Sequence, residues 1–267
     1  MARKTSFLLA VILLLNVLVV SGCAGWQQDN DVLYQVSTIG ALSRGDFDGT
    51  VTFKALKEHG EFGIGTFDGL DGEMVALGGQ FYQIKADGKV YPVADSQETP
   101  FSMVTRFEPD RVAQVDQPLN MGQFTQYLDS LLPSKNVFYA IKVEGTFKSI
   151  KTRSVAGQSE PYPTLAEALQ SQVTFDFCDV AGTMVGIRCP DYIEGVNVPG
   201  YRFHFITDDR QAGGHVLECQ LDKVKIEIDD TPDLYMDLPD TSSFYKLDLT
   251  NQQQGEVGQM GKGPAIE

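Results

Sequence analysis

Residues 197–221 read NVPGYRFHFITDDRQAGGHVLECQL and hold two of the chain's three histidines, one on each side of a turn-rich DDRQAGG. Apolar and polar residues alternate before the turn, as in a strand with one buried face. Two such runs around a short turn predict a β-hairpin. Side chains two apart share a strand face. Arg202, His204 and Ile206 therefore point one way, and Phe203 and Phe205 the other, into the core. On the returning strand His215, Leu217 and Cys219 share a face. If residues 207–214 turn the chain, His204 and His215 become cross-strand neighbours within reach of one metal ion. Two outcomes stay open on this pattern alone: a metal site, or packed and hydrogen-bonded histidines.

Elsewhere strands dominate. Residues 32–91 read mostly as strands with short helical pieces, separated by glycine turns such as DGLDGE and ADGK. TPFSMVTRFEP is a further strand, and MGQFTQYLDSLLPSKN predicts an amphipathic helix ending before Pro133. VFYAIKVEGTFKSIKTRSV alternates as a strand pair should. GQSEPYPTLAEALQSQ, with proline punctuation and a short helix, marks a domain junction, and the remainder is β to about residue 250. The expected fold class is α+β: an N-terminal mixed sheet with helices over 32–160, and a C-terminal antiparallel β domain over 161–250 carrying the hairpin. Residues 251–267, rich in Gly and Gln, predict a weakly ordered tail.

The chain begins MARKTSFLLAVILLLNVLVVSGC: a basic start at Arg3 and Lys4, an apolar run, then small residues before Cys23. That layout predicts an export signal over 1–22. VSGC resembles a bacterial lipobox, which implies a lipid on Cys23, a polar tether over 23–31, and an extracytoplasmic protein held at a membrane. The alternative is an uncleaved anchor. Cys178, Cys189 and Cys219 then remain, an odd number that argues against a disulfide scaffold, with no CxxC to suggest a thiolate zinc site. A net charge of −15 argues against a nucleic-acid partner. Neither GxGxxG nor GxxxxGK[ST] occurs, so no nucleotide loop is indicated.

The hairpin, with its YRFHFIT and GGHVL, resembles the metal-binding hairpin of the α-acetolactate decarboxylases. YQVSTIGALSRGDFDG through GGQFYQI, TPFSMVTRFEP, KNVFYAIKVEGTFKSIKTRSV and EPYPTLAEALQSQ extend the resemblance co-linearly over nearly all of the chain after the signal. It implies conversion of (S)-2-acetolactate, a 2-hydroxy-3-keto acid, into (R)-acetoin and CO2. It also implies a zinc ion held by three histidines, whose charge stabilises the electron pair left by the departing CO2, and a homodimer. Carried over by position, His204 and His215 match two of the ligands. Glu73 matches an active-site glutamate, Thr66 a nearby threonine, and Arg153 an arginine that binds the substrate carboxylate or assists proton transfer.

Two positions depart from the pattern. Arg202 stands where the first histidine ligand belongs, and a guanidinium has no lone pair to give a metal. Gly261 falls where a C-terminal glutamate belongs, with Glu256 and Glu267 nearby but displaced. The alternative function is therefore a catalytically impaired relative that binds carboxylates around Arg153 and Arg202, a lipoprotein of the envelope.

Overall fold

The computed structural model describes residues 31–250. Cys23 with its lipobox-like segment, and Glu256, Gly261 and Glu267, lie outside the described residues.

The elements run β1 (Val32–Val36), α1 (Ile39–Ser43), β2 (Val51–Thr52), α2 (Phe53–His59), β3 (Phe62–Thr66), β4 (Glu73–Leu77), β5 (Gln80–Ile84), β6 (Val90–Pro92), β7 (Glu98–Thr99) and β8 (Ser102–Thr105). There follow β9 (Arg111–Val115), β10 (Leu119–Asn120), α3 (Met121–Leu131), β11 (Phe138–Ser154), α4 (Leu165–Leu169), β12 (Val173–Cys189), β13 (Gly200–Thr207), β14 (Gly213–Thr231), β15 (Asp233–Asp237) and α5 (Ser242–Lys246). The α+β class expected from the pattern is what forms. Helix α3 starts on a capping box, with the Asn120 side chain on the Gln123 amide and Gln123 reaching back; it stops before Pro133, which cannot continue a helix. Thr164 and Glu167 cap α4 in the same way.

Two sheets carry the architecture. The first has seven strands in the order β15-β1-β8-β3-β4-β5-β6, antiparallel except where β15 lies parallel to β1. The second is antiparallel and is built on β14, β11, β12 and β13. Strand β13 pairs with β12 on one side and with the first residues of β14 on the other, while β14 also pairs with β11. These four strands thus close a ring. Register shifts in the β11–β14 ladder, between Thr146 and Phe147, Phe147 and Ser149, and Lys151 and Thr152, mark where it bends.

Two expectations need correction. The segment read as a strand pair, 137–155, is one 17-residue strand, β11, because it bends at bulges instead of reversing at a turn. Cys219 does not share a face with His215. At Lys151 and Thr152 the ladder passes from Glu218 to Val216, so Leu217 is an extra residue that shifts the alternation. Val216 and Cys219 consequently lie in the same apolar core, with Phe205 and Phe147.

Sheet membership also crosses residue 160. The second sheet starts at Arg111, and Asp233–Asp237 return to the first. Three apolar layers result. One fills the space between the sheets and includes Leu33, Ile64, Val75, Phe101, Ala140, Val185 and Ile206. The second lies around α3 and the inside of the ring, and takes Phe203 and Phe205 as the alternation predicts. The third packs α2 on the outer face of the first sheet. Cys178 is exposed, whereas Cys189 and Cys219 are buried, and all three are free. Burial pushes the Cys189 and Cys219 thiols up to about 12, so they stay protonated.

Candidate active site at the junction of the sheets

The hairpin forms in the anticipated register. His204 of β13 lies opposite His215 of β14, and His215 lies opposite Arg153 of β11 on its other side. One row across three strands therefore presents two imidazoles and a guanidinium to the layer between the sheets. The first sheet answers with Glu73, the first residue of β4. Residues from both sheets are needed to make the cluster.

Glycines place two of these side chains. Gly72 precedes Glu73 with φ +92°, and a Cβ there would meet the Ile84 carbonyl oxygen at 2.4 Å. Gly214 precedes His215 with φ +136°, and a Cβ there would meet the Arg153 carbonyl oxygen at 2.5 Å. A side chain at either position would strain the backbone and push neighbouring strands apart.

Glu73, Arg153, His204 and His215 are all buried. Arg153 Nη1 donates to Glu73 Oε1 at 3.0 Å. His204 Nδ1 lies 2.7 Å from the Met74 carbonyl oxygen. A carbonyl only accepts, so Nδ1 carries the proton and Nε2 keeps its lone pair. That Nε2 is 3.1 Å from His215 Nδ1 and 3.4 Å from Glu73 Oε2. Burial, with the positive charges of Arg153 and Arg202 adding to it, lowers His204 to about 3 and His215 well below its ordinary value. Both imidazoles are thus neutral lone-pair donors. Burial also drives Glu73 above the usual carboxylate range, against the opposing pull of Arg153 and Arg202.

Glu73, His204 and His215 offer ligand atoms that all lie within 4.8 Å of one another. The bare His204 Nε2 faces Glu73 Oε2, acceptor against acceptor, and such a contact calls for a positive species between them. A proton on Glu73 is one answer. A divalent ion is the other, because zinc–nitrogen bonds of about 2.0–2.1 Å put tetrahedral ligands roughly 3.3 Å apart. Two imidazoles and a carboxylate are also a chemically suitable donor set for zinc. The residues present therefore fit the ion without a third histidine.

Arg202 is not among the converging atoms. Its guanidinium lies over the Phe101 ring, 5.6 Å from the centroid, and Nη1 donates to Asn197 Oδ1 at 3.3 Å. Thr66, paired with Glu73 across β3 and β4, donates its hydroxyl to the Gly72 carbonyl at 2.7 Å. A single cavity is lined by Thr66, Glu73, Arg153, Arg202 and His215 together with apolar side chains, among them Leu70, Phe101 and Val198. Pattern reading missed Phe101, Asn197 and the Met74 carbonyl. None sits in a motif; each reaches the site through a contact long in sequence, 130 residues for Met74 and His204.

The chain is similar to known proteins over most of its length. Residues 33–251 match the sequence profile of the family described as alpha-acetolactate decarboxylase. The chain is 49% identical over 87% of its length, and 81% of the relative's, to the alpha-acetolactate decarboxylase of Methanosarcina mazei. It is 46% identical to that of Methylococcus capsulatus, over 86% of this chain and 88% of that one. The crystal structure of alpha-acetolactate decarboxylase from Bacillus subtilis strain 168 superposes with a TM-score of 0.85 at 37% identity, covering 87% of this chain and 100% of that one. The match takes in both sheets and every residue of the buried cluster, and the chain belongs to the α-acetolactate decarboxylase family.

Proposed function

We propose that the protein converts 2-acetolactate into acetoin and CO2 at a zinc site held by Glu73, His204 and His215, and that it works outside the cytoplasm, tethered through a lipid on Cys23. The observation that carries the reading is the convergence of these three buried groups, two of them lining one cavity, in a chain of this family. The apolar run ending in VSGC supports export and anchoring.

When bound, the ion supplies positive charge beside the carbon that loses CO2. The protein's own groups do the rest. The Met74 carbonyl fixes the tautomer of His204, so that Nε2 faces the cluster as a donor. Arg153 occupies Glu73 Oε1 and leaves Oε2 for the shared position. Thr66 is a positioning residue: its bond to the Gly72 carbonyl sets the turn from which Glu73 projects. Apolar walls at Leu70, Phe101 and Val198 keep water out and strengthen every charge interaction inside.

A second reading, a carboxylate-binding relative without turnover, is favoured by one observation: Arg202 stands at the first ligand position. Acetoin formation from racemic 2-acetolactate, measured with the zinc content of the purified protein, separates the two. The expected result is close to one equivalent of zinc and acetoin production, both lost in His204→Ala. Less than about a tenth of an equivalent of zinc, with acetoin made only by Arg202→His, would overturn the decarboxylase reading and leave the binder. Sedimentation of the purified chain tests the homodimer.

A further inference from the structure

The two arginines of the cavity are in different states. Arg153 is 8% exposed and spends its charge on Glu73 at 3.0 Å. Arg202 is only partly buried, lines the cavity, and among the described residues has no carboxylate in contact. Among the described residues its one hydrogen bond goes to a neutral acceptor, Asn197 Oδ1, at 3.3 Å. A guanidinium has five N–H bonds to donate. Glu73 makes its close ion pair with Arg153, and among the described residues no carboxylate forms an ion pair with Arg202.

The surroundings hold that guanidinium in place. Asn197 Nδ2 donates to Gln35 Oε1 at 2.6 Å, and Asn197 Oδ1 also accepts from the Val198 amide at 2.7 Å. Gln35 in turn donates to the carbonyls of Ser37 at 2.8 Å and Val196 at 3.0 Å. Gln35 and Asn197 are both fully buried. A satisfied polar chain thus runs from β1 to Arg202 and fixes one edge of the guanidinium. Phe101 lies beneath its face. The remaining edge is left for a ligand, and a planar fork of donors matches a carboxylate.

We infer that Arg202, not Arg153, receives the substrate carboxylate, and that it makes the cavity specific for small 2-hydroxy monocarboxylates bound with the acid group toward Asn197 and Phe101. The inference rests on the proposed reading only in taking a small hydroxy acid as the occupant. It assigns Arg202 to affinity and specificity. A guanidinium on the departing carboxylate favours the bound acid over the state in which that charge is leaving, so the contact adds nothing to the rate of the chemical step.

The test is calorimetric titration of the purified full chain with 2-hydroxyisobutyrate, which carries the acid and hydroxyl groups but has no keto group and cannot react. Arg202→Gln should weaken binding at least about tenfold. Arg202→Lys, which keeps the charge and loses the fork, should fall between that variant and the natural protein. Arg153→Lys, which keeps its charge beside Glu73, should lose less binding than Arg202→Gln does. Thermal unfolding of each variant shows whether it is folded. Equal binding by Arg202→Gln and the natural protein overturns the assignment, as does a folded Arg153→Lys that loses binding while Arg202→Gln retains it. Failure to make acetoin, with probe binding still dependent on Arg202, removes the decarboxylase reading alone. Acetoin production with probe binding indifferent to Arg202 removes this assignment alone.

Discussion

The cavity has two walls of opposite character. On one, Glu73, Arg153 and His215, with His204 against them, are buried and tied to one another or to the backbone at 2.7–3.4 Å. On the other, Arg202 rests on Phe101 and Asn197 and keeps donors unspent. The first wall joins the two sheets, so its polar groups are also part of the fold. The second carries a charge that forms no ion pair among the described residues. Residues of the same type can therefore have opposite consequences when changed: loss of Arg153 strands a buried carboxylate, while loss of Arg202 relieves a cation of its desolvation.

The sharpest way to break this contrast is to remove one member of the buried pair. Arg153→Gln should lower stability by about 3–5 kcal/mol in chemical denaturation, because Glu73 is left uncompensated. A double replacement of Glu73 and Arg153 by apolar residues of similar volume should recover much of that loss.

The histidines of the same wall predict an acid response. In the unfolded chain each takes a proton near pH 6.5, but in the folded metal-free protein His204 does so only near 3, and His215 also far below 6.5. Between those values the unfolded state binds more protons. Their contribution is complete above pH 6.5 and is lost as pH falls toward 3. Denaturation midpoints of chelator-treated protein should drop over that interval, and His204→Gln should flatten the slope.

Of the fold, what was legible in the sequence was what neighbours along the chain decide. The turn between His204 and His215, the shared inward face of Phe203 and Phe205 opposite His204, and the stop of α3 before Pro133 all follow from local spacing. The extra residue at Leu217 follows from pairing with a strand some sixty residues earlier, and no local signal marks it. Arg153 and Glu73 look like surface charges when read alone. Resemblance singled them out; Arg153 is buried in register with His215, and Glu73 meets it from the first sheet. Asn197 and Phe101 have no pattern at all, since their part in the site comes from packing between sheets.

Two smaller effects sharpen the comparison. Gly214→Ala should cost about 1–3 kcal/mol, from positive φ and the approach of the Arg153 carbonyl; thermal unfolding reads it directly. Arg202→Gln should change stability by less than about 1 kcal/mol in either direction. A loss as large as that of Arg153→Gln would show that both walls serve the fold and that the distinction between them is mistaken.

The return of β15 to β1 has its consequence in the order of folding. Val32 pairs with Asp233, so the first sheet gains its edge strand only after the whole of the second has been made. Ring strands β11 to β14 can assemble while the chain is still short of Asp233, but the first sheet must wait, with β1 unpaired on that side. Such distant pairing is slow to form. During synthesis, the open edge of β1 is the place where a chaperone, or a neighbouring chain, would find the protein unfinished.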